Sequence, residues 1–312
     1  MKMKQYIDGL VSVIIPTRGR SDTLHRAITS ALNQTYSFIE VLVVDDNDKG
    51  SENANIVKRI IENFSDERLS LITQDRHING AAARNAGIKR SNGEYIAFLD
   101  DDDWWELCKI EHQLKCFEML DKSYGAVTCL KKYYIKGNVV RASLPHKDGY
   151  ICKEVAARCI GLSMGAPLIR RSALDETGYF DENLSRMQDV QLFSCLCSKY
   201  KVYLLKKYLY CISGDDAQNR SGANKVKDIK AAFLNSISYI IDEMPKEDKE
   251  FVKIMTEFDM GYSFLKEHNY SAGVPLILGV LRQREAFRYA IHRVVARGKA
   301  KFFKAIYLER YK

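Results

Sequence analysis

The 312-residue chain predicts an α/β fold built on a mostly parallel sheet, for three reasons. Short apolar, β-rich runs alternate with stretches of helical period. Each run ends in a polar or acidic residue, and no internal repeat interrupts the order. Val11 to Pro16 reads as a buried strand. Asp22 to Gln34 reads as a helix, capped by Ser21 or Asp22, with Leu24, Ala27, Ile28, Ala31 and Leu32 on one face. Ile39 to Val44 is a second strand running into Asp45-Asp46, followed by an amphipathic stretch from Asn53 to Phe64. A short strand from Leu69 to Thr73, a helix from Ala81 to Ser91 and a strand from Tyr95 to Leu99 complete the alternation. Such a sheet gathers ligands at the carboxyl ends of its strands, which is where Thr17-Arg18, Asp45-Asp46 and the run Asp100-Asp101-Asp102-Asp103 fall. Beyond Leu120 the alternation loosens. Strands are expected over 126–134 and 139–144, a turn at Gly178-Tyr-Phe-Asp-Glu182, a helix over 187–200, and helical sequence from about Lys225 onward.

Composition bounds the function. With 46% hydrophobic residues and only five prolines, the chain can bury a real core and is not disordered. Eight cysteines without a Cys-x-x-Cys pair, and a start lacking the apolar core of a signal peptide, predict reduced thiols in a cytosolic protein. The longest uncharged apolar segment, Tyr270 to Leu281, is far below the roughly 20 residues that span a bilayer, so no transmembrane helix is expected. Charge is unevenly placed. Residues 280–312 carry ten Lys or Arg against Glu285 and Glu309, an excess equal to the +8 of the whole chain, so the rest is balanced. In this tail the cations interleave with Phe287, Tyr289, Ile291, Phe302, Phe303 and other apolar residues, a mixture suited to an anionic membrane surface. Nucleic acid is not expected as a partner, because no nucleic-acid module accompanies the basic run.

Four consecutive carboxylates closing an apolar strand repel one another, and a helix cap accounts for one of them, not four. Carboxylates without Cys or His neighbours suit a hard cation, Mg2+ or Mn2+, bound jointly with a diphosphate.

Several stretches together resemble the inverting family-2 glycosyltransferases of the GT-A fold. They are Val11-Ser-Val-Ile-Ile-Pro-Thr-Arg18, Val41-Leu-Val-Val-Asp45-Asp46, Asn79-Gly-Ala-Ala-Ala-Arg84-Asn85-Ala-Gly87, Gly93-Glu-Tyr-Ile-Ala-Phe-Leu-Asp-Asp-Asp-Asp103, and Gly178-Tyr-Phe-Asp-Glu182 with Gln188-Asp189. The likeness covers roughly residues 9–200. It implies that Asp102 ligates the metal directly, that Asp100 reaches the ribose or the metal, and that Asp101 belongs to the same cofactor-binding group. It further implies that Asp46 accepts from the nucleobase and that Pro16, Thr17 and Arg18 line the base pocket. Arg18 stands where an aromatic residue is common in the family; a guanidinium stacks on a base as well. Arg84 becomes a diphosphate contact. Asp189 matches the family's general base, preceded by Gln188 where Glu is usual. Losing that neighbouring charge should make the base less basic than in a carboxylate pair, and capping of the following helix is the structural alternative.

The resemblance implies transfer of a single sugar from a nucleotide donor, a UDP-hexose or its N-acetyl form, to a lipid-linked oligosaccharide or surface glycan at the cytoplasmic face of the membrane. The Gln-x-x-Arg-Trp motif of processive synthases is absent. A catalytically silent nucleotide-sugar-binding protein and a nucleotidyltransferase are the alternatives; the Gly-rich activation loop of the second is missing. The expected organisation is a GT-A domain over 1–222, with a donor half at 9–105 and an acceptor half at 106–222, then a helical region over 223–312. His25 is expected on the surface. Asp45 could bond the base or cap its loop, and Trp104 and Trp105 could join the core or face the acceptor.

Overall fold

A computed structural model describes residues 6–19, 21–214 and 223–291. Strand β1 (Ile7–Thr17) leads through α1 (Ser21–Leu32) to β2 (Ile39–Asp45), then α2 (Glu52–Glu62), β3 (Leu69–Thr73), α3 (Gly80–Arg90) and β4 (Gly93–Phe98). These four strands are parallel, in the order β3-β2-β1-β4. The side chains of Ser21 and Asp22, where a cap was expected for α1, lie outside the described residues.

Strand residues alternate between the two faces of the sheet. Val11, Val13 and Ile15 of β1, Val41 and Val43 of β2, and Tyr95 and Ala97 of β4 enter one core with Leu24, Ile28 and Ala31 of α1. Ile14, Leu42, Val44, Ile96 and Phe98 enter the other with Ala81, Ala83 and Ile88 of α3. Because both faces are covered, the strands read as unbroken apolar runs. Gly87 lets α3 lie directly on β1: a Cβ there would stand 2.5 Å from Cγ2 of Ile14.

The second half extends the sheet with mixed polarity. After β5 (Trp104–Trp105) and α4 (Lys109–Met119) come β6 (Tyr124–Ile135), β7 (Asn138–Ala142), α5 (Cys152–Ala156), β8 (Leu168–Arg170), α6 (Arg171–Thr177), α7 (Gln188–Lys199) and β9 (Lys201–Ser213). The order continues β4-β8-β6-β9-β5, with β8 antiparallel to both β4 and β6, and β6 parallel to β9. The 13-residue β9 was not anticipated, although its Val, Leu and Tyr content fits a strand. All eight cysteines are free thiols. Cys195 and Cys197, two apart on α7, point into different cores.

Helices α8 (Ala223–Ser236), α9 (Ser238–Glu243), α10 (Lys246–Lys266) and α11 (Tyr270–Leu278) follow, with residues 284–291 again helical. Phe233, Ile237, Phe251, Met255 and Phe258 form a third core that reaches Ala156 and Ala157 beside α5 and Cys195 of α7. Val280, Ala286 and Ala290 belong to this core, Tyr289 packs edge-on against Phe251 at 5.5 Å, and Glu285 pairs with Lys153 at 3.0 Å. Residues 280–291, which charge alone assigns to the basic tail, are therefore packed into the fold. Residues 292–312, with seven of the ten cations, lie outside the described residues. Among the described residues no helix is long and apolar enough to cross a membrane.

Candidate active site

Three strand ends meet by register. Thr17 of β1 pairs with Asp45 of β2, which pairs with Thr73 of β3, and β4 lies on the other side of β1. Beyond these ends opens a cleft of about 450 Å³ lined by Pro16, Thr17, Arg18, Asp46, Arg84, Asp100, Asp101 and Asp102, together with His77, Asn79, Ser185 and Gln188.

The four carboxylates of the acidic run divide by direction. Asp100 and Asp102 are partly exposed to the cleft, and Asp100 takes a 2.6 Å ion pair from Arg84. Asp101 and Asp103 are buried. Asp101 accepts from the Thr17 hydroxyl at 2.7 Å, fastening the turn to the end of β1. Asp103 accepts from the Tyr210 hydroxyl and, at 2.9 Å, from the amide of Ser213, fastening it to the end of β9. Burial, reinforced by the charge of Asp100, pushes the carboxyl of Asp103 up to about 8. The sequence-based view that none but a ligand explains the run therefore needs correcting, since two of its members have structural partners.

Asp46 is buried, its carboxylate accepting from the amide of Ile78 at 3.1 Å and lying 2.8 Å from Nδ1 of His77. His77 carries no signal in the sequence, because its partner lies 31 residues away and the pairing of β2 with β3 brings them together. Asp45 turns back on its own loop, accepting from Asn47 through the backbone at 3.0 Å and the side chain at 2.6 Å, so its capping role holds. Trp105 is in the core, its indole donating to the carbonyl of Gly165 at 2.8 Å, while Trp104 is partly exposed between Tyr134 and Arg26. His25 is on the surface.

Asparagines carry the connection to Asp189. Asn79 caps α3 by accepting from the amide of Ala82, and donates to the carbonyl of Glu182 at 2.8 Å. Asn85, one and a half turns further along, donates to the carbonyl of Phe180 at 2.9 Å and accepts from the amide of Phe180 at 3.1 Å. The 178–182 turn so held donates from Asp181 to Gln191 of α7 at 3.1 Å. Asn85→Ala would leave the amide and carbonyl of Phe180 without these partners in a buried place. It is expected to cost about 1–3 kcal/mol in thermal or urea unfolding. Turnover should drop more than nucleotide affinity, because the tether serves α7 and not the floor of the cleft; equal losses of both would refute that role.

Asp189 stands in the first turn of α7, but Met187, in the left-handed region at φ 62°, is the residue that precedes the helix as its cap. Asp189 is thus not the capping residue. It faces a second cleft of about 470 Å³ with Asp103, Ser163, Met164, Arg186, Tyr210 and Ile212, which adjoins the first through Arg84, Asp100, Ser185 and Gln188. Crowding outweighs the missing neighbouring charge. Desolvation raises the carboxyl of Asp189 above its ordinary value, against the lowering effect of the Val190 amide and the Arg84 charge.

The family described as "Glycosyl transferase family 2" matches residues 12–208, which contain every residue lining the first cleft and all those of the second but Tyr210 and Ile212. The chain is a family 2 glycosyltransferase. An Escherichia coli relative, the UDP-Glc:alpha-D-GlcNAc-diphosphoundecaprenol beta-1,3-glucosyltransferase WfgD, is 29% identical over 233 residues, covering 72% of this glycosyltransferase and 83% of WfgD. Among solved structures, S. aureus TarS 1–349 in complex with UDP-GlcNAc aligns with a TM-score of 0.58 at 17% identity, over 96% of this chain and 91% of TarS. The mannosyltransferase PcManGT from Pyrobaculum calidifontis, in complex with GDP-Man and Mn2+, aligns with a TM-score of 0.52 at 15% identity, over 95% and 87%. At these identities the two structures establish the GT-A fold of the glycosyltransferase and no more.

A cluster of three His, Cys, Asp or Glu side chains able to hold a metal is absent among the described residues of the glycosyltransferase. Asp100 and Asp102, the partly exposed members of the acidic run, supply an all-oxygen donor set on the cleft wall. One or two carboxylates completed by substrate phosphates is the usual way Mg2+ is held, so these residues fit an ion that enters with a diphosphate better than a resident metal centre.

Proposed function

We propose that this enzyme transfers a single hexose or N-acetylhexosamine from a UDP-sugar, with inversion and with Mn2+ or Mg2+, to a lipid-linked glycan at the cytoplasmic face of the membrane. The observation that carries the proposal is the adjoining pair of clefts, one with Asp46, Asp100 and Asp102 on its wall and the other with Asp189. Residues 9–105 would form the donor half, 106–222 the acceptor half, and 223–312 the helical region that ends in the basic tail.

In this reading Asp46, already oriented by Ile78 and His77, accepts from the imide N–H of the base, while Arg18 covers its face and Pro16 and Thr17 line its pocket. Asp100 and Asp102 hold the ion, which offsets the charge that grows on the leaving diphosphate. Arg84 sits between the clefts and adds a fixed positive charge beside that leaving group. Asp189, across this boundary, takes the proton from the acceptor hydroxyl as it attacks the face of the sugar opposite the diphosphate. Asp101 and Asp103 act beneath them, holding the turn. The name of WfgD supports the donor and acceptor classes, since a β-linked product from UDP-Glc reports inversion by that relative. A lipid-linked acceptor and the cations of 292–312 both favour work at an anionic membrane surface.

The reading is tested by incubating the enzyme with a panel of UDP-sugars and GDP-mannose, with Mn2+, Mg2+ or EDTA, and measuring nucleotide release. Release from a UDP-sugar that EDTA suppresses is expected. Release from GDP-mannose alone would overturn the donor. A thermal shift with UDP but no turnover of any donor, with or without a polyprenyl-diphosphate sugar acceptor, would favour a silent binding protein.

A further inference from the structure

We propose that the face formed by α11 and residues 279–291 is a membrane-docking surface for anionic lipid; this rests on the membrane-associated reading above. Normal surface helices turn apolar residues inward and polar ones outward. Here the order is inverted. The inward positions are taken by the small or modest residues Gly273, Gly279, Val280, Ala286 and Ala290. Gly261 of α10 and Gly273 of α11 bring the two helices so close that a Cβ on Gly261 would lie 2.8 Å from the carbonyl of Gly273.

What remains outside is large and apolar. Leu278 and Leu281 are 54% and 64% exposed, and Val274, Phe287 and Ile291 are exposed with them. From 274 to 291 the other exposed residues are Pro275, Arg282, Arg284 and Arg288. The one acidic residue in that span, Glu285, is held by Lys153 at 3.0 Å. The exposed residues of 274–291 are thus apolar side chains and arginines, with Glu257 of α10 partly buried beside Gly279, a composition that matches the boundary between acyl chains and anionic headgroups. The chain then continues through 292–312 with seven further cations and Glu309, so the charge needed to reach such a surface adjoins the face that would enter it. A second copy meeting this face with its own would set Arg282, Arg284 and Arg288 against like charges.

The two components separate by salt. Attraction through the arginines and the tail is screened as ionic strength rises, whereas insertion of leucines is not. Flotation of the full-length protein with vesicles of phosphatidylcholine and phosphatidylglycerol should therefore show binding that weakens, without vanishing, at high salt. Vesicles of phosphatidylcholine alone should bind it far less. Leu278→Gln with Leu281→Gln should reduce partitioning roughly tenfold or more at both salts, and Arg284→Gln with Arg288→Gln should reduce it at low salt only. Donor hydrolysis and Tm should stay near wild type in both, as these side chains are exposed and distant in sequence from the clefts. If the leucine variant floats like wild type, this surface is not the docking face, even though the membrane reading stands. If the leucine substitutions instead convert a dimer to monomers in sedimentation, a second copy covers the face and the proposal is wrong. If wild type binds no vesicle, the membrane reading falls and takes this inference with it.

Discussion

Asp102→Asn is expected to abolish transfer and metal-dependent nucleotide binding while leaving the fold intact. The substitution preserves shape and removes one of the two partly exposed carboxylates of the acidic run at the cleft. An amide oxygen is a poor substitute for an anionic ligand when a hard cation must be held beside a diphosphate that is itself strongly hydrated. Stability should change little. Asp102 is partly exposed, and its charge raises the carboxyl of buried Asp103, so removing it relieves a repulsion. The measurement is UDP binding with and without Mn2+, alongside turnover and thermal unfolding. Wild-type turnover in the variant, or wild-type turnover undiminished by excess EDTA, would refute the metal assignment. The same substitution at Asp101 should behave differently: the Thr17 hydroxyl would lose its anionic acceptor inside the fold, and the deficit should show in Tm as well as in turnover.

Asp189→Asn is expected to leave UDP affinity nearly unchanged and to lower turnover by about 10² or more, the scale of losing a general base. Geometry separates the two effects, since Asp189 faces the second cleft and not the one with Asp46. A pH profile adds a second signature. The base works only when ionised, and burial raises its carboxyl above the ordinary range. Activity should therefore be full on the alkaline side and fall as the pH drops through that raised value, earlier than an exposed aspartate would dictate. The acid limb should be missing from the residual activity of Asp189→Asn. Nucleotide affinity falling in step with turnover would make Asp189 a donor-site or structural residue.

The lesson for the tail is practical. A truncation at residue 280, which charge alone suggests, would remove Val280, Ala286 and Ala290 from a core and unpair Lys153 from Glu285. One after 291 removes seven cations and keeps every described residue of that core.

Much of this protein is legible in its sequence because the responsible interactions are local. The unbroken apolar runs of β1, β2 and β4 and the helical period of α1 and α2 are properties of each element by itself, so the parallel half-sheet and the clustering of Pro16, Thr17, Arg18, Asp46, Asp100 and Asp102 at its edge could be read directly. Tertiary structure decided what depends on partners distant in sequence. Which of the four aspartates face the cleft was settled by Thr17, 84 residues before Asp101, and by Tyr210, 107 residues after Asp103. His77 entered the site through Asp46, Asp189 reached it through the asparagines of α3, and its proton affinity was set by burial that no neighbour in the sequence reveals. Even the outward turn of Leu278 and Leu281 was hidden, since an apolar run reads alike whether it is packed or bare; only the small residues crowded on its other side force the large ones into the open.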